Sequence, residues 1–82
     1  MNPTSSESQK PAVPDPAFVI ANGQRIETHF PASITQFLVT QQLLPRSVVV
    51  EHNGEAVAPS EFSARQLQSG DRLEIVKIVA GG

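Results

Sequence analysis

Residues 72–82, RLEIVKIVAGG, decide how this chain is read. The stretch begins as a strand in which apolar and charged residues alternate, and β-branched residues dominate it. Leu73, Ile75 and Lys77 share one face; Glu74, Val76 and Ile78 share the other. Apolar character therefore spreads from one face to both as the strand proceeds. Two accounts fit: a central strand partly covered on both sides, or an exposed patch of Val76, Ile78 and Val49 that docks a partner. The residues alone leave both open. The strand is expected to run from Arg72 to about Val79 and then stop on two glycines and a carboxylate.

Upstream, QSGD at 68–71 is a turn signal. VVVEHNGEAV carries a strand at about 47–52, a turn on Asn53-Gly54 and a short strand near Glu55–Val57. Pro59 and the residues to Phe62 predict an irregular or 3₁₀ segment instead of a second full helix. PASITQFLVTQQLLP is the one convincing helix. Ser33 is its natural N-cap and Gln36 completes a capping box. Ile34, Phe37, Leu38 and Leu44 fall near one stripe, interrupted by Gln41, and Pro45 is expected to halt the helix after Leu44, about three turns in all.

AFVIANGQRIETHF predicts a β-hairpin about Asn22-Gly23. A two-residue loop would set Ile20 against Arg25 and Phe18 against Glu27. A three-residue loop, Ala21-Asn22-Gly23, pairs Phe18 with Ile26 and gathers Phe18, Ile20, Ile26, Thr28 and Phe30 on one face. Val19, Arg25, Glu27 and His29 then lie on the other, and Gly23 takes a bulge position. The second register is the expectation. The order β-β-α-β-β-β with one helix is an α+β pattern, a mixed sheet of four to five strands with the helix packed on one face. The first and last strands can lie side by side in parallel at its middle. That is the β-grasp, or ubiquitin-like, architecture.

Composition sets the surrounding limits. Residues 1–16, MNPTSSESQKPAVPDP, hold four prolines and little that is apolar, so they are expected to be a disordered leader before a domain at 17–82. A net charge of −2 with no cluster of Lys or Arg argues against nucleic-acid and anionic-membrane partners. The absence of cysteine removes disulfides, thiol nucleophiles and cysteine-ligated metal. No apolar run reaches membrane-spanning length and no signal-peptide pattern opens the chain, so the cytoplasm is the expected compartment. Catalysis by the chain itself is not expected. Neither His29 nor His52 has a carboxylate or serine near it by local spacing, and both are expected at the surface; Glu61 and Asp71 are expected to be turn or solvated residues. No metal site is expected.

Two terminal glycines arise by chance in roughly one chain in two hundred at a glycine usage of about 7%. Three features favour a role over a frayed end. The tail leaves a central strand and so projects from a fixed place. Glycine lacks Cβ, which lets the backbone enter a narrow channel. The α-carboxylate is a competent nucleophile toward the α-phosphate of ATP.

In VVVEHNGEAVAPSEF, in the closing QSGDRLEIVKIVAGG and in the hairpin–helix opening, residues 17–82 resemble the ThiS-like sulfur carriers of thiamine (thiazole) biosynthesis. NGE and SGD are ordinary turns; their order, spacing and terminal Gly-Gly carry the likeness. The resemblance implies that Gly82 is adenylated by an ATP-dependent, ubiquitin-activating-like adenylyltransferase. Sulfur relayed from cysteine by a desulfurase would then replace the AMP, leaving a thiocarboxylate that thiazole synthase consumes. Ala80 and Gly81 correspond to the family's flexible arm. The chain would bind no cofactor of its own, the ATP being used by the activating partner, and would be a monomer when free. The Pro-rich leader departs from the family pattern.

The small subunit of molybdopterin synthase has the same fold and the same thiocarboxylate chemistry. Its members tend to carry prolines before the terminal segment and a longer link between helix and third strand; IVKIVAGG has none and only Pro45-Arg46 intervene. A ubiquitin-like modifier joined to target lysines through Gly82, and a non-catalytic docking module with an inert tail, are the remaining alternatives.

Overall fold

The computed structural model describes residues 16–79. The expected leader therefore lies outside the described residues except for Pro16, and so does the arm Ala80-Gly81-Gly82. The described residues form β1 (Phe18–Ala21), β2 (Gln24–Glu27), α1 (Ile34–Thr40), β3 (Val48–His52), β4 (Glu55–Val57) and β5 (Arg72–Lys77), with 3₁₀ turns at Pro45–Ser47 and Pro59–Glu61. The sheet order is β2-β1-β5-β3-β4. β1 and β5 run parallel at its middle and the other neighbours are antiparallel. This is the β-grasp arrangement, with β5 as the central strand.

One layer of side chains joins α1 to the sheet. Val19, Ile34, Phe37, Leu38, Val48, Val50, Phe62 and Leu73 are each 2% exposed or less, and Ala21, Val57 and Leu67 complete the cluster. β3 shows the simplest version of the pattern: Val48, Val50 and His52 point inward while Val49 and Glu51 point out. The 62–67 segment closes the helix end of the core. Ile34 N–H donates to the Arg65 carbonyl, and Leu67 N–H to that of Ala32.

The first hairpin takes the register opposite to the expected one. Val19 pairs with Ile26, Ile20 with Arg25 and Phe18 with Glu27, leaving a two-residue loop. Asn22 (φ 51°) and Gly23 (φ 81°) are both left-handed, the backbone of a type I′ turn, whose twist matches the flanking strands. The buried set on β1 is therefore Val19 and Ala21, not Phe18 and Ile20. Phe18 is half-covered on the outer face because the Arg25 guanidinium sits 3.8 Å from its ring centroid. An arginine stacked on an aromatic ring thus makes tolerable the charged face that argued for the longer loop.

The helix is also shorter than expected. The capping box forms as read, with Gln36 N–H donating to Ser33 Oγ at 3.1 Å and Ser33 N–H to Gln36 Oε1 at 2.8 Å. The helix ends at Thr40, however, and Leu44 lies outside it and is 68% exposed. Gln42 turns left-handed (φ 63°), Gln42 N–H donates to the Val39 carbonyl and Leu43 N–H to that of Leu38. This pair of bonds is a Schellman ending, and it folds Leu43 back onto the core. Pro45 opens the following 3₁₀ turn instead of terminating the helix.

Candidate functional site

β5 organises the site because it carries the chain to its C-terminus from the middle of the sheet. Its inward face passes from buried Leu73 to half-buried Ile75 to exposed Lys77 as it runs beyond the cover of α1. Its outward face holds Glu74 and Val76. Val76 is 63% exposed, Ile78 56% and Val79 86%. Val49, directly opposite Val76 on β3, is 53% exposed, so the two valines form one apolar patch on the open face of the sheet. The next pair along is Glu51 opposite Glu74, both exposed, which sets two like charges beside that patch. Such a pairing weakens the sheet locally.

The base of the arm is held on both sides. Ile78 N–H donates to the Ser47 carbonyl at 2.8 Å, which carries the extended course one residue past β5. On the other side the Asn22 side chain grips Ile75, its Oδ1 accepting from the Ile75 N–H at 2.7 Å and its Nδ2 donating to the Ile75 carbonyl at 3.0 Å. Asn22 thus has two tasks, the left-handed turn and the clamp. The turn was readable from Asn-Gly; the clamp was not, because its partner is 53 residues away.

At the opposite end of β5, two residues that were expected to be solvated meet. His52 is 8% exposed, and its Nε2 lies 2.7 Å from Asp71 Oδ2. Asp71 also accepts from Gln68 N–H at 2.9 Å and from Asn53 Nδ2 at 3.2 Å. Burial raises the Asp71 pKa, but the bonds from His52, Gln68 and Asn53 outweigh it and hold the carboxyl below its usual value. The carboxylate can only accept, so His52 Nε2 is the donor. His52 Nδ1 is buried without a hydrogen-bond partner. Asn53 adds two further ties to Arg72, Asn53 N–H to its carbonyl and Arg72 N–H to Asn53 Oδ1. The cluster joins the β3–β4 turn to the start of β5, at the end remote from the arm, and its contacts are all with strand and turn residues. It is a structural tie. The separation of 19 residues hid it from any reading by local spacing.

His29 is exposed, and Glu61 lies 4.0 Å from Arg65, which also pairs with Glu55. Among the described residues no group of three or more His, Asp or Glu is placed to hold a metal ion. No described helix is long and apolar enough to cross a membrane.

The ThiS family model matches residues 14–82, the whole folded part and the terminal Gly-Gly with it. The thiamine biosynthesis protein ThiS from Geobacter metallireducens has a crystal structure similar to this chain, with 25% identity and a TM-score of 0.66 over 79% of this chain and 99% of that one. Its solution structure gives the same identity and TM-score over 79% of this chain and 87% of the other. No curated protein matches the chain. With most of its length matched by the family and its central strand leading to a terminal Gly-Gly, the chain belongs to the ThiS family of ubiquitin-like sulfur carriers.

Proposed function

We propose that the α-carboxylate of Gly82 is the working group and that the rest of the chain presents it. The carboxylate attacks the α-phosphate of ATP in a ubiquitin-activating-like adenylyltransferase, and pyrophosphate leaves. A persulfide that a desulfurase forms from cysteine then attacks the acyl-adenylate and expels AMP, giving an acyl disulfide. A thiol, such as excess cysteine, reduces its S–S bond and is itself oxidised to a disulfide, so that one carboxylate oxygen is replaced by sulfur. Thiazole synthase consumes the thiocarboxylate in thiamine biosynthesis. Gly81 and Ala80 are the thin arm, and Val76 with Ile78 is the surface that meets these partners. The chain is no enzyme in this scheme but a co-substrate, cytoplasmic and monomeric when free.

The observation that carries this reading is the family match, which extends through the Gly-Gly at the end of the central strand. The pathway is supported by the name of the Geobacter protein. The geometry is in keeping with it: bonds from Ser47 and Asn22 fix the backbone at Ile75 and Ile78, the last stretch before the arm. Intact-mass spectrometry of the full chain, incubated with adenylating enzyme, desulfurase, cysteine and ATP, tests it. The expected result is an oxygen-to-sulfur shift confined to the C-terminal peptide. Isopeptide-linked adducts would instead identify a modifier, and an unchanged C-terminus under competent conditions would reduce the chain to a docking module. Loss of the gene is expected to create a requirement for thiazole; a requirement for molybdopterin instead would move the carrier to the other pathway.

A further inference from the structure

The hairpin tip leaves a notch in the sheet. β1 stops at Ala21, opposite Leu73, whereas β5 runs on to Lys77. Past Ala21 the Asn22 amide substitutes for one more strand residue by bonding both main-chain groups of Ile75. Nothing of β1 continues beyond it. The alternation of the ladder fixes which neighbour each residue of β5 addresses. Arg72 and Ile78 turn their main-chain groups toward β3, as the bonds to Asn53 and Ser47 demonstrate. Leu73, Ile75 and Lys77 therefore turn theirs toward β1. The N–H and C=O of Lys77 face the notch, and neither has a partner among the described residues. Val79 is next in the same alternation.

Beside the notch, on the helix side of the sheet, lies a groove of about 400 Å³ whose lining includes Asn22, Ile26, Phe37, Leu43, Ile75 and Lys77. It exists because the Schellman ending withdraws the chain after Thr40 while β5 continues underneath. An added strand in the notch would place alternate side chains on that same side, directly over the apolar groove.

We propose that the notch takes an extended segment of the protein that activates the C-terminus, which adds a short strand along Lys77 and Val79 and sets one apolar side chain into the groove. The proposal rests on the reading that Gly82 enters a partner's active site. Unpaired strand N–H and C=O groups are what an extended main chain recognises. Gly82 is three residues beyond Val79, and three extended residues span at most about 11 Å. A protein that encloses the Gly82 carboxylate therefore has its surface within that distance of Val79, close enough to reach the open main-chain groups at 77–79. A second copy of this chain is a poorer occupant, since an edge only two residues long buries far less surface than a stable interface needs.

The test compares Lys77→Pro with Lys77→Ala in the full chain. Proline removes the outward N–H without breaking a bond within the described fold; alanine removes the side chain and keeps the N–H. Binding to the adenylyltransferase of the same organism, measured by calorimetry, is expected to be at least tenfold weaker for the proline variant than for the alanine variant. Amide hydrogen exchange of the unaltered chain is the second measurement, with Lys77 slowing on complex formation. Equal affinities of two folded variants overturn the proposal. So does unchanged exchange at Lys77 in the complex, which decides the matter if Lys77→Pro fails to fold. Slowing that tracks the concentration of the free chain identifies a second copy as the occupant and overturns it too. An unaltered chain that supports no ATP–pyrophosphate exchange refutes the activation reading itself, and the proposal falls with it by a separate signal.

Discussion

Asp71 illustrates how one carboxylate is turned into a structural fixture. It receives bonds from His52, Gln68 and Asn53, and together these hold its pKa below the ordinary value near 3.8. A carboxyl whose pKa is lowered on folding contributes stability that is present above the unfolded value and is lost as pH falls through the folded one. The acid limb of stability should therefore steepen below about pH 4. Asp71→Asn is expected to flatten that limb and to cost about 1–3 kcal/mol at neutral pH, from the loss of charge-assisted bonds to a largely buried histidine. Urea unfolding of both proteins between pH 2 and 7 checks it, and parallel acid limbs would show that the carboxylate contributes nothing. Val76 is the contrasting case. At 63% exposure it adds little to the core, so Val76→Asp is expected to cost only about 1 kcal/mol, from the poor strand propensity of aspartate and the nearby carboxylates. The same change sets a third carboxylate beside Glu51 and Glu74, and is expected to weaken binding to the adenylyltransferase about tenfold. A large fall in melting temperature with unchanged binding would return Val76 to a purely structural role.

The elements show where sequence pattern carries structure and where it stops. β3, β4, the 3₁₀ turn at Pro59–Glu61 and the helix start at Ser33 were all readable, because each is set by contacts within a few residues. The hairpin register was not. Burial of Phe18 and Ile20 argued for a three-residue loop, but β1 is next to the central strand and its outer face is covered by Arg25 instead. The helix end was missed for a similar reason. Leu43 and Leu44 extend the apolar stripe by eye, yet the core has room for Leu43 only when the chain reverses at Gln42. That reversal sets a residue with a Cβ in a left-handed conformation, which costs roughly 1 kcal/mol that glycine would not incur. Gln42→Gly is accordingly expected to stabilise the protein by about 0.5–1 kcal/mol, read as a raised urea midpoint at constant slope. A lowered midpoint would mean that the Gln42 side chain makes a contact worth more than the strain.

At the scale of the whole molecule, β5 divides the labour. Its first half is built into the core at Leu73 and tied down by Asn53 and the Asp71 cluster; its second half leaves the cover of α1, and the carboxylate proposed to react follows it in sequence. The terminal Gly-Gly and the central strand leading to it could be read from the sequence, because both depend on local residue type. The grouping of Val49 with Val76 was one of two readings open to the sequence, and their direct pairing decides for it; the clamp by Asn22 could not be read, because it needs the register between distant strands. This division predicts that stability and reactivity can be changed separately. Ile34→Val, at a fully buried helix position, removes one methylene group and is expected to cost about 0.5–1.5 kcal/mol. For a domain of this size each kcal/mol lowers the melting temperature by about 4–8 °C. Thiocarboxylate formation by the remaining folded protein should be unchanged at about 25 °C. Deleting Gly82, or replacing Gly81 by tryptophan, should do the reverse, leaving the melting temperature unaltered and abolishing thiocarboxylate formation. Melting curves and intact mass after incubation with the activating enzymes, measured on the same preparations, check both halves. Loss of thiolation in Ile34→Val in step with stability, or normal thiolation without Gly82, would show that the reactive group is not confined to the arm.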